Sequence, residues 1–344
     1  MTYPPLITAI RTGSLEELQL ILKKKKYTYP LTAGKQKWTP LHFAAYYGNL
    51  PILKLLLTSH PFKSDIKATE SKDGFTPLHK AVEKGWTDGI KLLLEHGARI
   101  EAKTEKSGST PLILAIKFGH LEAVKVLLDS KARVKCHNHK GMSPVLMAVE
   151  KGRFDILKLL WDRLGPDGVE EIKDDGNCVG RTALLLALIG GHTDIAKFLI
   201  ENKVDVCISD DDGWGPIHVA VQQGKGEKGL EMLRLLLKER PYLNTKVAET
   251  GYTPLHLAAV KGDPSYINEL VEAGAKLYVT SNMEYTPLYT AVKFGKEEDA
   301  VEKIVEFLVK RGANLGAKDA FGTGIACLAK EKGWNSLGAR AELY

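Results

Sequence analysis

The chain contains ten histidines and four cysteines, the residues whose side chains most often support acid–base or metal-ion chemistry. Four of the histidines, His42, His79, His218 and His256, each follow Pro-Leu or Pro-Ile in otherwise similar segments. As catalytic groups they would form a row, with one imidazole per segment. A hydrogen bond within a capped helical turn explains such a recurring position better. We therefore expect no catalytic residues and no enzymatic activity.

Two short motifs resemble metal sites. The sequence Cys136–His139 contains three possible ligands, but it lacks the paired spacing of a structural zinc site and a clear fourth ligand. Asp210–Gly213 resembles the start of a calcium loop, yet Val221 stands where the bidentate glutamate is needed. The sequence therefore predicts neither a metal nor any other cofactor, and the acidic run is interpreted as a loop tip.

Composition excludes several classes of protein. Hydrophobic residues make up 44% and charged residues 26%, too apolar for a disordered chain. The net charge of +6 is spread over 344 residues, which argues against nucleic-acid binding. Four cysteines cannot form a disulfide framework, so we expect a reducing, cytoplasmic location. Residues 1–13 lack the pattern of a signal peptide, and the apolar run Ala183–Ile189 is far shorter than the ~20 residues of a membrane span.

The histidines belong to an internal repeat. Thr-Pro-Leu-His occurs at 39–42, 76–79 and 253–256, with five weaker copies, and a glycine follows nine residues after each start. A further copy opens the chain and a degenerate one closes it. The steps between starts are 33 residues or slightly more, and the ten starts are at 4, 39, 76, 110, 143, 182, 215, 253, 286 and about 324.

Each unit predicts a helix, a turn and a second helix. Threonine or serine is a good helix N-cap, and proline suits the first helical position. Leu41, Ala44 and Ala45 would face inward, and Gly48 and its equivalents would end the first helix in the left-handed conformation. Neither helix can bury its apolar face alone, so successive units must stack.

This pattern resembles the ankyrin repeat over essentially the whole chain, because Thr-Pro-Leu-His at a 33-residue period is the signature of that family. The resemblance implies an all-α solenoid of helix-turn-helix units with hairpin-like loops and degenerate repeats at both ends. It implies a single domain over residues 1–344. It also implies a concave face made by the first helices and the loop tips.

Several segments depart from the repeat. Leu164–Gly168 predicts an extended loop or a break in curvature, and Lys225–Gly229 and Lys296–Glu302 predict a longer second helix or entry turn. Lys23–Lys37 and Ser59–Lys72 are long linkers. The lysine run at 23–26 is interpreted as the last turn of a helix, where cations favour the negative end of the dipole, rather than as a contact with anionic lipid or an acidic partner.

In the ankyrin pattern, three residues of each unit face the concave side: the one before the signature threonine and the two before the glycine. Nine of these 24 residues are aromatic, whereas 26 aromatics in 344 residues predict about two. Tyrosine and tryptophan are typical of interface hot spots. Together with the lysines on the same face, the candidate partner-binding residues are Trp38, Tyr46, Tyr47, Phe75, Lys84, Lys117, Phe118, Lys151, Trp214, Tyr252, Lys261, Tyr285, Lys293 and Phe294.

The five lysines outnumber Glu83 and Glu150 on this face, which favours a partner of acidic character. The alternative is that a large residue before the threonine packs on the next loop and is structural. The favoured function is a non-catalytic adaptor, scaffold or inhibitor that binds one or more proteins and is a monomer outside its complex. Two other functions stay open: a structural component of a cytoskeletal or axonemal assembly that uses the inserts, and a pathogen effector that binds host protein.

Overall fold

The computed structural model describes residues 4–25, 32–35 and 37–342. Within them the regular structure is helical, with three isolated β-bridges and no strand. The predicted all-α class is therefore confirmed. The chain divides into two compact units, Met1–Glu170 and Glu171–Tyr344. A single domain over residues 1–344 stays a prediction.

Each predicted repeat contributes two α-helices to the described residues. The odd-numbered helices are called first helices and the even-numbered ones second helices. Those of repeats 1–5 are α1 (Pro5–Thr12), α2 (Leu15–Lys23), α3 (Pro40–Tyr47), α4 (Leu50–Thr58), α5 (Pro77–Glu83), α6 (Thr87–Glu95), α7 (Pro111–Phe118), α8 (Leu121–Asp129), α9 (Pro144–Glu150) and α10 (Phe154–Ile172). Those of repeats 6–10 are α11 (Ala183–Ile189), α12 (Thr193–Glu201), α13 (Pro216–Gln223), α14 (Gly226–Lys238), α15 (Pro254–Lys261), α16 (Pro264–Glu272), α17 (Pro287–Phe294), α18 (Glu298–Lys310), α19 (Ile325–Glu331) and α20 (Asn335–Ala341).

Every predicted repeat start is the N-cap of a first helix. At Ser143, for example, the hydroxyl accepts a hydrogen bond from the Leu146 amide at 3.2 Å, and Pro144 follows. The cap satisfies an amide that the helix itself leaves unpaired, and proline gives up an amide that would have had no partner. The helix-turn-helix period is thus confirmed.

Within each unit, the first helix of one repeat packs against the first helix of the next. Leu41, Ala44 and Ala45 of α3 are completely buried, and the small alanines allow this close approach. In the second unit a continuous apolar core runs from Ile217 to Ala341. Full burial of one such large side chain contributes about 1.5–3 kcal/mol, so packing between repeats holds each helix pair in place.

Hairpin-like loops join the repeats, and neighbouring loops are hydrogen-bonded to each other. In the first unit the Glu105 amide donates to the Asp73 carbonyl at 2.9 Å, and in the second unit the Ala248 amide donates to the Asp212 carbonyl at 2.8 Å. These backbone bonds align the loop tips of successive repeats.

The left-handed turn glycine is found at most repeats but not at all. Gly48 has φ 75°, as predicted, whereas Gly224 and Gly295 have φ −58° and −61°. The prediction is wrong for these two glycines because extra residues follow each of them and the chain leaves the helix in an extended conformation. The second helices α14 and α18 are 13 residues long instead of the usual nine, which confirms the predicted lengthening.

Of the two alternatives predicted at Leu164–Gly168, an extended loop or a break in curvature, the extended loop is not found, because the segment lies within α10, which is kinked at one residue. Gly165 has φ 66° and ψ 177°, which is not helical, and Pro166 follows it. Proline is compatible with the start of a new helical segment, so the helix resumes directly.

The long linker Ser59–Lys72 contains a 3₁₀ helix, Phe62–Lys67, whose Phe62 is completely buried. Of the lysine run predicted to form the last turn of a helix, Lys23 ends α2, Lys24 is its C-cap, and Lys25 lies beyond it with φ 48°. Residue 26 of the lysine run, and residues 26–31 and 36 of the linker Lys23–Lys37, lie outside the described residues.

Candidate protein-interaction surface

The signature histidines bond each repeat to the following one. The Thr39 amide donates to Nδ1 of His42 at 3.2 Å, so the ring proton is on Nε2, which donates to the Phe75 carbonyl at 2.8 Å. One imidazole therefore caps its own helix and reaches the next loop. The same two bonds are made by His79, His218 and His256.

Burial keeps these rings neutral. It lowers the pKa of His42, His79 and His256 to about 4 and also lowers the pKa of His218. Both ring nitrogens are engaged, so none of the four is placed to transfer a proton to a substrate. The histidines are structural residues, as the repeat pattern predicted.

The two metal-like motifs have other roles. Among the described residues, no group of three or more His, Cys, Asp or Glu side chains could hold a metal ion. The Cys136 thiol donates to the Arg133 carbonyl at 3.3 Å, and burial raises its pKa, which disfavours the reactive thiolate. The Asp210 carboxylate accepts from the amides of Asp212 at 3.2 Å and Trp214 at 2.9 Å, which holds a loop together.

Three candidate aromatics meet in the first unit. The ring centres of Trp38 and Tyr46 are 5.1 Å apart, and those of Tyr46 and Tyr47 are 5.4 Å apart with nearly perpendicular planes. Edge-to-face pairs of this kind add about 0.5–1.5 kcal/mol to simple burial. Trp38 and Tyr46 are half-buried, whereas Tyr47 is 44% exposed.

Trp38 also covers an ion pair that sequence reasoning missed. Its indole N–H donates to the Glu70 carboxylate, and the ammonium of Lys80 is 3.6 Å from the same carboxylate. Lys80 lies 4.6 Å from the centre of the Trp38 ring and 4.2 Å from that of Phe75. Glu70 and Lys80 are both buried, so Trp38 and Phe75 take part in packing between repeats.

A signal for Lys80 exists in the repeat. It directly follows the signature histidine, where most other repeats carry an apolar side chain such as Phe43 or Leu114. A charged residue at a position that is mostly apolar implies a buried partner. That partner, Glu70, lies in the longer loop before the repeat, where the sequence alone does not show which side chain turns inward.

The remaining first-unit candidates lie at the C-terminal ends of successive first helices. We call Tyr47, Lys84, Lys117, Phe118 and Lys151 the end-of-helix row. Lys84 lies 3.9 Å from the centre of the Tyr46 ring in the preceding repeat, so the ends of α3 and α5 are adjacent. Phe118 is 38% exposed, and the three lysines are exposed.

In the second unit, Trp214 borders a groove of about 180 Å³. Arg181 stands before the cap of α11, and its guanidinium Nε is 3.2 Å from the buried Asp210 carboxylate. Ile189 and Gln222, at the ends of two first helices, line the same groove. Arg181 thus resembles Trp38: a residue before the cap bonds to the acidic residue that opens a following loop.

Lys261 is turned toward its own chain. Its ammonium donates to the Val221 carbonyl at 2.8 Å and to the Gly224 carbonyl, and it lies 3.7 Å from the centre of the Tyr266 ring. Burial lowers its pKa. Lys261 therefore holds the extended turn of the preceding repeat. Tyr252 is half-buried and stacks on the neighbouring His256 with ring centres 5.4 Å apart.

The last candidates surround Tyr289, which sequence reasoning also missed. Tyr289 takes the place of the signature histidine, and its hydroxyl donates to the Asp319 carboxylate at 2.9 Å. Tyr285 is buried and stacks on Tyr289, and Lys293 lies 4.4 Å from the centre of the Tyr285 ring. Phe294, in contrast, is 43% exposed.

The fourteen candidates thus divide into two kinds, and partner binding by all of them stays a prediction. Those with exposed side chains are Tyr47, Lys84, Lys117, Phe118, Lys151 and Phe294. Those that are buried or half-buried are Trp38, Tyr46, Phe75, Trp214, Tyr252, Lys261, Tyr285 and Lys293.

Comparison with known proteins identifies the family. The family described as "Ankyrin repeats (3 copies)" matches in overlapping segments at residues 2–70, 62–138, 101–172, 127–210, 165–246 and 226–319. The chain belongs to the ankyrin-repeat family. Repeats of this family are protein-interaction modules and are generally non-catalytic.

Several relatives share part of this repeat array. The human transient receptor potential cation channel subfamily A member 1 is 32% identical over 84% of this chain, which spans only 26% of that protein. The ankyrin repeat protein nuc-2 of Neurospora crassa is 26% identical over 49% of this chain and 15% of its own length. The probable 26S proteasome regulatory subunit p28 of Saccharomyces cerevisiae is 33% identical over 40% of this chain and 59% of its own.

Each of these relatives extends well beyond the part that it shares with this chain. Among the described residues, no helix combines the length and the apolar composition needed to cross a bilayer.

Proposed function

We propose that this chain is a non-catalytic adaptor, scaffold or stoichiometric inhibitor that binds a protein partner in the cytoplasm through the end-of-helix row of its first unit. The observation that carries the proposal is the exposure of Tyr47 and Phe118, 44% and 38%, at matching ends of α3 and α7. Neither position requires an aromatic side chain for the repeat to fold. Large exposed aromatics at regular places are typical of binding surfaces.

The charges of the row favour an acidic partner. Lys151 is paired with Glu150 at 3.1 Å. Lys84 and Lys117 are exposed, and among the described residues no carboxylate forms an ion pair with either of them. Two uncompensated lysines beside exposed aromatics complement a surface that combines carboxylates with apolar side chains.

The test is affinity capture from native cell extract with the double variant Tyr47→Ala/Phe118→Ala. Trp38 is left unchanged because its loss would expose the buried Glu70–Lys80 pair and disturb the fold. Leu20→Ala is the matched control, since Leu20 is 51% exposed on a second helix of the same unit. Circular dichroism melts verify that all three proteins are folded.

We expect one protein to be captured in equal amounts by the wild type and by Leu20→Ala, and in an at least ten-fold smaller amount by the double variant. A charge-reversed variant, Lys84→Glu/Lys117→Glu, should lose the same protein. Equal retention by all variants would reject the end-of-helix row as the binding surface. If nuclease treatment of the extract abolishes capture by the wild type in the same way, the ligand is nucleic acid and not protein.

A further inference from the structure

A cavity of about 140 Å³ opens between repeats 6 and 7, within the second unit. Its floor is apolar and buried, and both helices of each repeat contribute to it. The floor residues that carry the argument are Ala187, Ala196, Val219, Ala220 and Met232.

Ala196 is a small residue on the cavity wall. It stands fourteen residues after its repeat start, at a buried position that holds a larger aliphatic side chain in repeats 1–5 and 8. In those repeats the larger side chain is at most 1% exposed. The equivalent residues are Leu18, Leu53, Ile90, Val124, Leu157 and Ile267.

The opposite wall is formed by the turn after α13. This turn begins at Gly224, which is extended rather than left-handed, and the inserted segment runs to Gly229. Both glycines line the cavity, and a Cβ on either would collide with the Tyr266 hydroxyl, so the turn packs closely through its backbone. Packed interiors leave few voids larger than a water molecule, so an apolar gap of this size that opens to the surface is a place where a ligand group can dock.

The mouth of the cavity is polar and positively charged. Gln223, Lys225 and Lys228 line it and are exposed, and no carboxylate is among the lining residues. Glu227 lies between the two lysines in sequence, but its carboxylate is 2.8 Å from the Arg234 guanidinium. Among the described residues, no carboxylate forms an ion pair with Lys225 or Lys228.

We infer that this pocket docks one apolar side chain of leucine size, carried by an acidic segment of a partner protein. An apolar cavity of about 150 Å³ accommodates a group as large as benzene, so the volume matches a single side chain and not a longer chain. Carboxylates on either side of that residue would meet Lys225 and Lys228. The inference rests on the proposed function in taking a protein as partner, but it assigns a second place of binding, in the other unit.

The first test uses short peptides and methionine signals. The acetylated and amidated pentapeptide EDLDE is titrated into protein carrying ¹³C-labelled methionine methyl groups. Met232 lines the pocket, whereas Met147 is buried in the first unit and is the internal control. We expect the Met232 signal to shift with saturation, while the Met147 signal stays in place.

Fluorescein-labelled peptides then give affinities by anisotropy. EDADE should bind at least ten-fold more weakly than EDLDE because it lacks the anchoring side chain. QNLNQ should also bind at least ten-fold more weakly because it lacks the carboxylates. Absence of a Met232 shift, or equal binding of EDADE, would overturn the pocket, and equal binding of QNLNQ would overturn the acidic character of the partner.

Two variants locate the site on the protein. Ala196→Ile fills the pocket as Ile267 does in repeat 8, so it should abolish EDLDE binding without lowering the melting temperature. Lys225→Glu/Lys228→Glu changes only exposed residues and should weaken EDLDE binding at least ten-fold. Unchanged affinity in either variant would contradict the inference.

The two proposals can fail separately. The Tyr47→Ala/Phe118→Ala variant should bind EDLDE like wild type, because those residues belong to the first unit. If that variant still captures its partner while EDLDE binds at Met232, the pocket stands and the end-of-helix row is rejected. If EDLDE fails to bind while the row is required for capture, the pocket alone is rejected.

Discussion

Two buried acidic residues, Glu70 in the first unit and Asp319 in the second, each bond a hairpin-like loop to the preceding repeat, but their partners differ. Each opens a hairpin-like loop: the Glu70 amide donates to the Phe75 carbonyl at 2.9 Å, and the Asp319 amide donates to the Thr323 carbonyl at 3.0 Å. Each carboxylate also accepts a hydrogen bond from an aromatic residue of the preceding repeat. For Glu70 the donor is the Trp38 indole, and for Asp319 it is the Tyr289 hydroxyl.

The difference lies in what balances the negative charge. Glu70 is paired with the buried ammonium of Lys80. Asp319 accepts two backbone amides of its own loop, those of Phe321 at 2.9 Å and Thr323 at 2.8 Å. Burial alone would raise the pKa of Asp319, but the hydrogen bonds from Thr323, Tyr289 and Phe321 outweigh it and lower the pKa. The Lys293 ammonium also lowers the pKa of Asp319, but the hydrogen bonds act more strongly. A loop can therefore stabilise a buried carboxylate mainly through N–H and O–H groups that point at it.

Acidification should have the largest effect on stability, and it acts through the signature histidines and not through Glu70 or Asp319. Unfolded histidines take up a proton below their ordinary pKa of 6.5, whereas His42, His79 and His256 do so in the folded chain only near 4. Their contribution to stability is therefore complete above about pH 6.5 and is lost as the pH falls toward 4. At pH 5 we expect a loss of about 2 kcal/mol for each, or about 6 kcal/mol for the three.

Hydrogen exchange can localise this loss within the second unit. The Thr253 amide donates to His256 at 3.1 Å, and the Thr323 amide donates to Asp319. Protection of Thr253 should fall between pH 6.5 and 4, while Thr323 should stay protected until Asp319 itself is protonated at lower pH. A His256→Gln variant should lack the Thr253 response, and parallel loss at both amides would contradict the assignment.

Removal of Glu70 should be the most damaging single change. Glu70→Ala removes one of the two carboxylates beside the buried Lys80 ammonium and the acceptor of the Trp38 indole N–H, while Glu83 stays 3.2 Å from Lys80. Loss of such charged hydrogen bonds typically costs about 1.5–3 kcal/mol. The double variant Glu70→Leu/Lys80→Met should recover most of that stability, because it removes both charges. Urea denaturation of the single and double variants measures the coupling, and additive losses would show that the pair does not act as a unit.

Tyr289→Phe should cost less, about 1–2 kcal/mol. It removes the hydrogen bond to Oδ2 of Asp319, while the two loop amides still donate to Oδ1. Because the Tyr289 bond helps to lower the pKa of Asp319, the variant should also raise that pKa, measurable by carboxyl ¹³C NMR. An unchanged pKa would show that the loop amides alone set it.

The smallest effect is expected where an aromatic hydroxyl has no partner. Tyr266 is fully buried, and its hydroxyl makes no hydrogen bond with any described residue. Tyr266→Phe should therefore leave stability unchanged or raise it by up to about 1 kcal/mol, since no bond is lost and an unsatisfied group is removed. Thermal melts compare the Tyr266→Phe variant with the Tyr289→Phe variant. A clear destabilisation of Tyr266→Phe would show that the Tyr266 hydroxyl has a polar partner such as water.

The register of the repeats could be predicted from sequence because their signals are local. Cap, proline and histidine all lie within four residues, so Thr39–His42 already contains most of the bonds that shape the first turn of α3. The exposure of the aromatic side chains could not be predicted from such local signals. Trp38 and Tyr47 belong to one repeat, yet Trp38 is held inward by Glu70, 32 residues away, while Tyr47 remains exposed. The distant neighbour decides which aromatic is available to a partner.

The signature histidines bond in one direction only, from each repeat to the following loop, as from His42 to Phe75 and from His256 to Tyr285. Repeats 3 and 8 therefore carry both the donor for the next junction and the acceptor for the previous one. A tandem duplication of one whole repeat would place these complementary ends together again and create a single new junction of the existing kind. Because the copied repeat already contains the histidine and the carbonyl that form this bond, gene duplication can lengthen the array without new contacts having to evolve.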